Sequence, residues 1–355
     1  MNGKIKSMRA PMNGRRRFVA HSCLALGAGS LIGGGYLRAA HAQSSSDGRA
    51  VPPDSIVVTL LGTGNPEPDP DRFSAATLVE AGGLRLLFDA GRGAAIRLHQ
   101  LKVPLGSIET VFISHLHSDH VVGLPDVWLM GFINPVFGNR KGALRVQGPR
   151  GTGKMVEHID QAFQADVQIR IADQKVDPAN TKLSVLEFER DGVVFEKNGV
   201  KVTAFSVDHG ELIKPAFGFR IDYAGRAVLI SGDTRFDENL IKHGRGADLV
   251  IHEVGEAPEA MKDIPFVKDI MAHHTSAEEC GRVFAQINPQ MAAYTHLVLM
   301  GGPKFPPISE AELVAKTRKT YSGPLVIGDD LTRFVVGQKV SVTRWNRQHG
   351  SYSNQ

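Results

Sequence analysis

The chain has 355 residues, 42% hydrophobic and 22% charged, which excludes a disordered polymer and leaves apolar material for a large core. Its formal charge of +4 is unevenly placed. Residues 1–42 hold seven of the 41 basic residues and no acidic one, so the remaining 313 carry 34 basic against 37 acidic groups, a formal charge of −3 that offers no net field for nucleic acid.

Arg15-Arg16-Arg17-Phe18-Val19 is a twin-arginine pattern, followed by a Gly- and Ala-rich, weakly apolar stretch to Tyr36 and by Ala40-His41-Ala42. Residues 1–42 therefore read as a twin-arginine signal peptide, cleaved after Ala42 and directing the chain to the periplasm or beyond the cell. His21, Ser22, Ser30 and five glycines interrupt the apolar run, so no stable membrane anchor is expected. Cys23 stands in a poor context for lipid attachment. Cys280 is the only cysteine after the leader, so no disulfide forms within the mature chain. Residues 43–54 read as a linker and 55–355 as one domain.

A strand is expected over Ile56–Leu61, then a loop opening with Gly62-Thr-Gly-Asn-Pro. Ala76–Ala81 and Leu84–Phe88 form a hairpin about Gly82-Gly83. Asp89-Ala-Gly-Arg-Gly ends the second strand and caps a helix over about 93–101. A buried strand covers Thr110–Ser114, and a helix follows Val121. A strand over Ala143–Gln147 and a helix over Thr152–Phe163 come next, with short strands and loops through 166–200. Strands are expected over Val202–Val207, Phe217–Tyr223, Arg226–Ile230 and Leu249–His252. A helix over Ala277–Gln286, a strand over Met291–Thr295 and a helix over Ser309–Arg318 complete the series, with no repeat and no second-domain linker.

His115-Leu-His117-Ser-Asp119-His120 places three imidazoles and a carboxylate within six residues, between the strand at 110–114 and a helix. Side chains at i and i+2 of extended chain point the same way, so His115 and His117 can hold one ion. Asp119 and His120, at the turn into the helix, can face a second; nitrogen and carboxylate donors suit zinc. His209 after the strand at 202–207 is a third nitrogen for the first ion. Asp233 after the strand at 226–230 can bridge both ions, and His296 after the strand at 291–295 can close the second site. Taken singly, each is as well explained by a hydrogen-bonded turn residue.

With these residues in this order, the sequence resembles the metallo-β-lactamase superfamily over roughly 55–335. The resemblance implies an α/β fold, an αββα four-layer sandwich, with two Zn2+ in a groove between the sheets, and makes 55–355 a hydrolase domain. Asp89 in Leu-Leu-Phe-Asp-Ala-Gly matches an aspartate that supports the family's site; a plain helix cap is the alternative. Ile251-His252-Glu253-Val254 and His274-Thr-Ser-Ala-Glu278 resemble motifs of the branch that contains tRNase Z and the zinc-dependent arylsulfatases. Gln147-Gly-Pro149 and Phe217-Gly-Phe-Arg-Ile221 also fit.

Two departures weigh against tRNA. Only a short turn separates the strands at 217–223 and 226–230, where the tRNA-binding arm would be inserted, and His296 is followed by Leu-Val-Leu-Met-Gly. The resemblance thus implies a zinc-dependent hydrolase of small anionic esters. Aryl sulfate esters are the expected substrate, with small phosphodiesters as the alternative; a non-catalytic metal-binding module is a different class of reading. Two zinc ions would lower the pKa of a shared water towards neutrality, and Asp119 would orient the attacking oxygen. His274, oriented by Glu253 or His252, is the candidate proton donor, with His273 beside it as the alternative. Trp128 and Phe132 are candidates for an aryl pocket or for core packing, and Lys214 for contact with an anionic substrate or plain solvation. No tRNA partner is expected; a homodimer is left open.

Overall fold

Alternation of apolar residues decides how the strands sit. In β1 (Ile56–Gly62), Ile56, Val58 and Leu60 turn to one face and Leu61 to the other, all buried. A strand covered on both faces reads as an unbroken apolar run, and Ile-Val-Val-Thr-Leu-Leu is one. The structure is a computed structural model that describes residues 51–133 and 138–353; the expected signal peptide lies outside them.

A first sheet grows from β1 through β2 (Ala76–Ala81), β3 (Leu84–Phe88), β4 (Thr110–Phe112), β5 (Leu144–Pro149) and β6 (Leu183–Phe188), paired in that order. The second sheet follows as β7 (Gly192–Lys197), β8 (Val200–Ser206), β9 (Phe217–Tyr223), β10 (Arg226–Ile230), β11 (Leu249–Glu256), β12 (Met291–Leu299) and β13 (Leu325–Ile327). The chain then returns to the free side of β1 with β14 (Arg333–Val336), β15 (Val340–Asn346) and β16 (Ser351–Ser353). Each half starts antiparallel and turns parallel, at β3–β4 and at β10–β11.

Eight α-helices lie among the described residues: α1 (Ala94–Gln100), α2 (Ser118–Val121), α3 (Leu124–Phe132), α4 (Thr152–Gln174), α5 (Glu238–Gly244), α6 (Pro265–Met271), α7 (Ala277–Ile287) and α8 (Glu310–Thr317). Three apolar layers hold them to the sheets. Leu98, Trp128, Phe132 and Val156 pack α1, α3 and α4 on the first sheet. Leu240, Val283, Phe284 and Leu313 pack α5, α7 and α8 on the second. Between the sheets, Ile56, Val58, Phe88, Phe112, Phe219, Val228 and Ile251 form the middle core. Phe88 and Phe112 stack there with centroids 4.9 Å apart, and Phe219 lies 5.2 Å from Phe88. This is the expected αββα sandwich.

Several elements differ from expectation. The helix expected to end at Phe163 runs to Gln174, because Met155, Ile159, Phe163, Val167 and Ile171 continue one stripe at four-residue spacing onto the first sheet. β11 and β12 extend beyond His252 and Thr295, so His296 lies inside its strand and not after it. α5, α6 and the terminal strands were not anticipated. Trp128 and Phe132 are buried between α3 and the first sheet, where they pack the core.

Candidate metal centre

The His115–His120 stretch is pinned from below before it reaches the site. Ser114 N–H and Oγ donate to Asp89 Oδ1 and Oδ2, each at 2.8 Å, and the Ser114 carbonyl accepts from Phe217 N–H of the second sheet. Asp89 Oδ2 also accepts from His120 Nδ1 at 2.7 Å. Asp89 is therefore committed to the loop and caps no helix; Gly93 stands at the start of α1, without a side-chain cap.

Asp233 Oδ2 lies at the centre of the cluster. It is 3.8 Å from His115 Nε2, 3.6 Å from His209 Nε2, 3.3 Å from His120 Nε2 and 3.4 Å from His296 Nε2. On one side of it, His117 Nδ1 stands 2.9 Å from His115 Nε2 and 3.4 Å from His209 Nε2. On the other side, Asp119 Oδ2 stands 3.0 Å from His296 Nε2 and 3.6 Å from His120 Nε2. Two groups able to hold an ion result, His115–His117–His209–Asp233 and Asp119–His120–His296, with Asp233 at their junction.

Backbone geometry at two strand ends aims these side chains. Gly232 follows β10 with φ +61°, and a Cβ there would stand 2.4 Å from the Phe217 carbonyl oxygen, so only glycine lets the chain turn Asp233 into the site. In β12 the pairing shifts: His252 faces Tyr294 but Val254 faces Leu297, so Thr295 and His296 together oppose Glu253. His296 takes φ +44° in this bulge, which re-aims its imidazole from the sheet into the cluster. His209 is oriented by donating from Nδ1 to the His273 carbonyl at 2.9 Å.

Electrostatics favour neutral imidazoles at the first group. Burial pushes His115 well below the usual histidine range and His209 down to about 4. Burial alone would lower His120 too, but the Asp233 and Asp89 carboxylates outweigh it and hold it well above. Burial would raise Asp119, yet the His296 hydrogen bond and the His120 charge bring its carboxyl below its ordinary value. His120 Nε2 is buried and, at 3.3 Å from Asp233, makes no well-directed hydrogen bond. Its other nitrogen is held by Asp89, an arrangement that orients the ring so that Nε2 is the atom to meet a metal. Five nitrogens and two carboxylates around one space fit a borderline divalent ion such as zinc.

His274 completes the rim of the site. Asp233, His274 and His296 form a third close group. Its Nδ1 donates to Glu253 Oε2 at 3.1 Å, and Glu253 Oε1 accepts from Thr275 N–H at 2.8 Å. Glu253 is fully buried, and its charge outweighs burial to raise the His274 imidazole above its ordinary value. His252 is not part of this arrangement: it packs against Phe284 of α7 with Cys280 Sγ 3.7 Å from its Nδ1, away from the cleft. Of the two expected orienting groups, Glu253 is the one that touches His274. The His273 side chain lines the cleft as well, but its carbonyl is occupied by His209.

The metal cluster opens into a cleft of about 360 Å³, walled by Pro66, Ile270, Val298, Leu299 and Met300. Those wall residues were missed in the sequence. They lie on the loop after β1, on α6 and at the end of β12 and just beyond it, and no motif distinguishes them from ordinary positions.

Fold and site together define a zinc-dependent metallo-hydrolase of the metallo-β-lactamase fold, of phosphodiesterase type. A family model described as "Anti-Pycsar protein Apyc1" matches residues 56–262. Ribonuclease Z of Mycobacterium marinum (strain ATCC BAA-535 / M) is 33% identical over 283 residues, 79% of this chain and 99% of the relative. Ribonuclease Z of Mycobacterium bovis (strain BCG / Pasteur 1173P2) is 34% identical over 79% of this chain and 98% of its own. The chain belongs to the metallo-β-lactamase superfamily, in its ribonuclease Z-like branch and within the family that the Apyc1 model describes. Among solved structures, the metallo-β-lactamase fold protein YhfI from Bacillus subtilis superposes with TM-score 0.59 at 18% identity, covering 79% of this chain and 99% of its own. Human tRNase Z, short form, does so with TM-score 0.55 at 22% identity, again covering 79% and 99%.

Proposed function

We propose that the chain hydrolyses small phosphodiesters at a two-zinc centre, outside the cytoplasm. The observation that carries this is the single Asp233 oxygen flanked by two ligand groups, the layout that two ions about 3.5–4 Å apart need for in-line displacement. His115, His117 and His209 would hold the first ion, Asp119, His120 and His296 the second, and Asp233 both. When bound, such a pair supplies charge neutralisation and a water acidified towards neutrality. The remaining steps fall to the chain's own groups. Asp119, at the cleft surface of the second group, orients the incoming water. His274, held in one orientation by Glu253, delivers a proton to the departing oxygen.

The expected aryl sulfate specificity finds no support among the relatives, and the ribonuclease Z likeness over 79% of the chain favours the diester. A tRNA substrate fits poorly: β9 and β10 are joined by Ala224-Gly225 alone, with no arm between them, and the mature chain is net acidic. The zinc-loaded enzyme should release nitrophenol from bis(p-nitrophenyl) phosphate far faster than from p-nitrophenyl sulfate when both are assayed in parallel. A faster rate on the sulfate would restore the arylsulfatase reading. Stoichiometric zinc without turnover of any ester would favour a metal-binding module.

A further inference from the structure

We propose that a second cavity beside the metal centre is an anion subsite, which takes a phosphate group carried by the ester arm that remains on phosphorus after hydrolysis. The inference rests on the phosphodiesterase reading above. His117 stands between two spaces, the cleft already described and a neighbouring cavity of about 200 Å³. The cleft is lined by acidic Glu67, Asp119 and Asp233; the cavity has no carboxylate on its wall and two cations, Arg150 and Lys214.

The two cations are available. Arg150 follows β5 and makes no hydrogen bond or ion pair among the described residues. At the start of α4, Gly151 and Gly153 N–H already donate to Glu187 Oε1 and do not compete for an anion. Lys214 Nζ is 3.1 Å from Glu211 Oε2, but both side chains are more than half exposed, and such a pair opens at little cost. A free guanidinium with two parallel N–H donors is matched to phosphate. Leu116, Leu212 and Ile213 supply the apolar remainder of the wall, and Leu212 is 98% exposed, a side chain that an organic ester arm would cover.

The position of the proton donor sets the polarity of the substrate. His274 lines the cleft and not the cavity, so the oxygen it protonates belongs to the arm lying in the cleft. Water oxygen bonds to phosphorus, the P–O bond to the cleft arm breaks, and that oxygen leaves as an alcohol with the proton from His274. The water proton passes to solvent, from which His274 is recharged. The other product is a phosphomonoester that retains the arm held by Arg150.

Two chromogenic diesters test this on the zinc-loaded enzyme: the p-nitrophenyl ester of thymidine 5′-phosphate, and the same compound with a 3′-phosphate. The native enzyme should prefer the 3′-phosphorylated diester by at least about tenfold in kcat/KM, the worth of one hydrogen-bonded charge pair. Arg150→Ala should bring that ratio close to one. Equal kcat/KM on the two diesters in the native enzyme, or a preference that survives Arg150→Ala, would overturn the subsite while leaving the phosphodiesterase reading intact. Failure to release nitrophenol from either diester would overturn both.

Discussion

Asp233 is the residue on which the proposed dinuclear arrangement depends. One of its oxygens lies within 3.8 Å of four imidazole nitrogens drawn from both groups, whereas His209 and His296 each serve one. Asp233→Asn keeps the size but removes the charge that offsets two divalent ions and leaves a weakly coordinating amide. We expect that variant to purify with less total zinc than either His209→Ala or His296→Ala, and with nearly all esterase activity lost. Metal analysis by mass spectrometry beside a diester assay decides it; two zinc ions per chain with near-native turnover would remove Asp233 from the ligand set. The charge pattern supports the assignment independently, since Asp233 is held well below the ordinary carboxylate range by His296 and His120 despite complete burial.

Secondary-structure elements deliver the candidate ligands through their ends and irregularities. β3, β4, β8 and β10 each stop within a few residues of a site residue: Asp89, His115, His209 and Asp233. β12 alone runs past its ligand and uses a bulge to turn it. The Gly232 turn after β10 is the tightest of these devices. Gly232→Ala forces an L residue to φ +61° and drives a methyl group against the Phe217 carbonyl, so unfolding in urea should show a loss of more than about 1 kcal/mol. Because the same residue precedes Asp233, zinc content should fall together with stability. An unchanged urea midpoint would show that the turn relaxes freely.

For the whole molecule, charge divides the chain in two. Residues 1–42 contain the basic excess, and residues 43–355 are net acidic. No helix among the described residues is long and apolar enough to cross a membrane. Export of an already folded, metal-loaded domain is the reading we propose for the Arg15-Arg16 pair. Replacing both by lysine should leave full-length precursor inside the cell, detected by fractionation and intact mass; export undiminished by that change would refute the twin-arginine assignment. Mature protein in the native strain should begin at Gln43.

Sequence alone determined the strands that alternate or run apolar, and with them the ligand order, because period and residue type are local properties. Phe217–Tyr223 and Arg226–Ile230 were legible to the residue, and so was the His115–His120 loop. Pairing across 177 residues, such as His296 with Asp119, was legible only as a resemblance. Extended α4 was half hidden because one narrow apolar stripe must compete with many exposed polar residues. His252 and Glu253 are adjacent in sequence and carry similar chemistry, yet neighbouring strand positions face opposite sides. Only the packed sheet decides that Glu253 meets His274 while His252 goes to the helix layer. The same holds for the Arg150 cavity, whose wall joins residues from three stretches after β4, β5 and β8 that no local pattern connects. Chemistry of single residues is written in the chain; which of them share a space is decided by tertiary packing, since burial and register are set by contacts far apart in sequence.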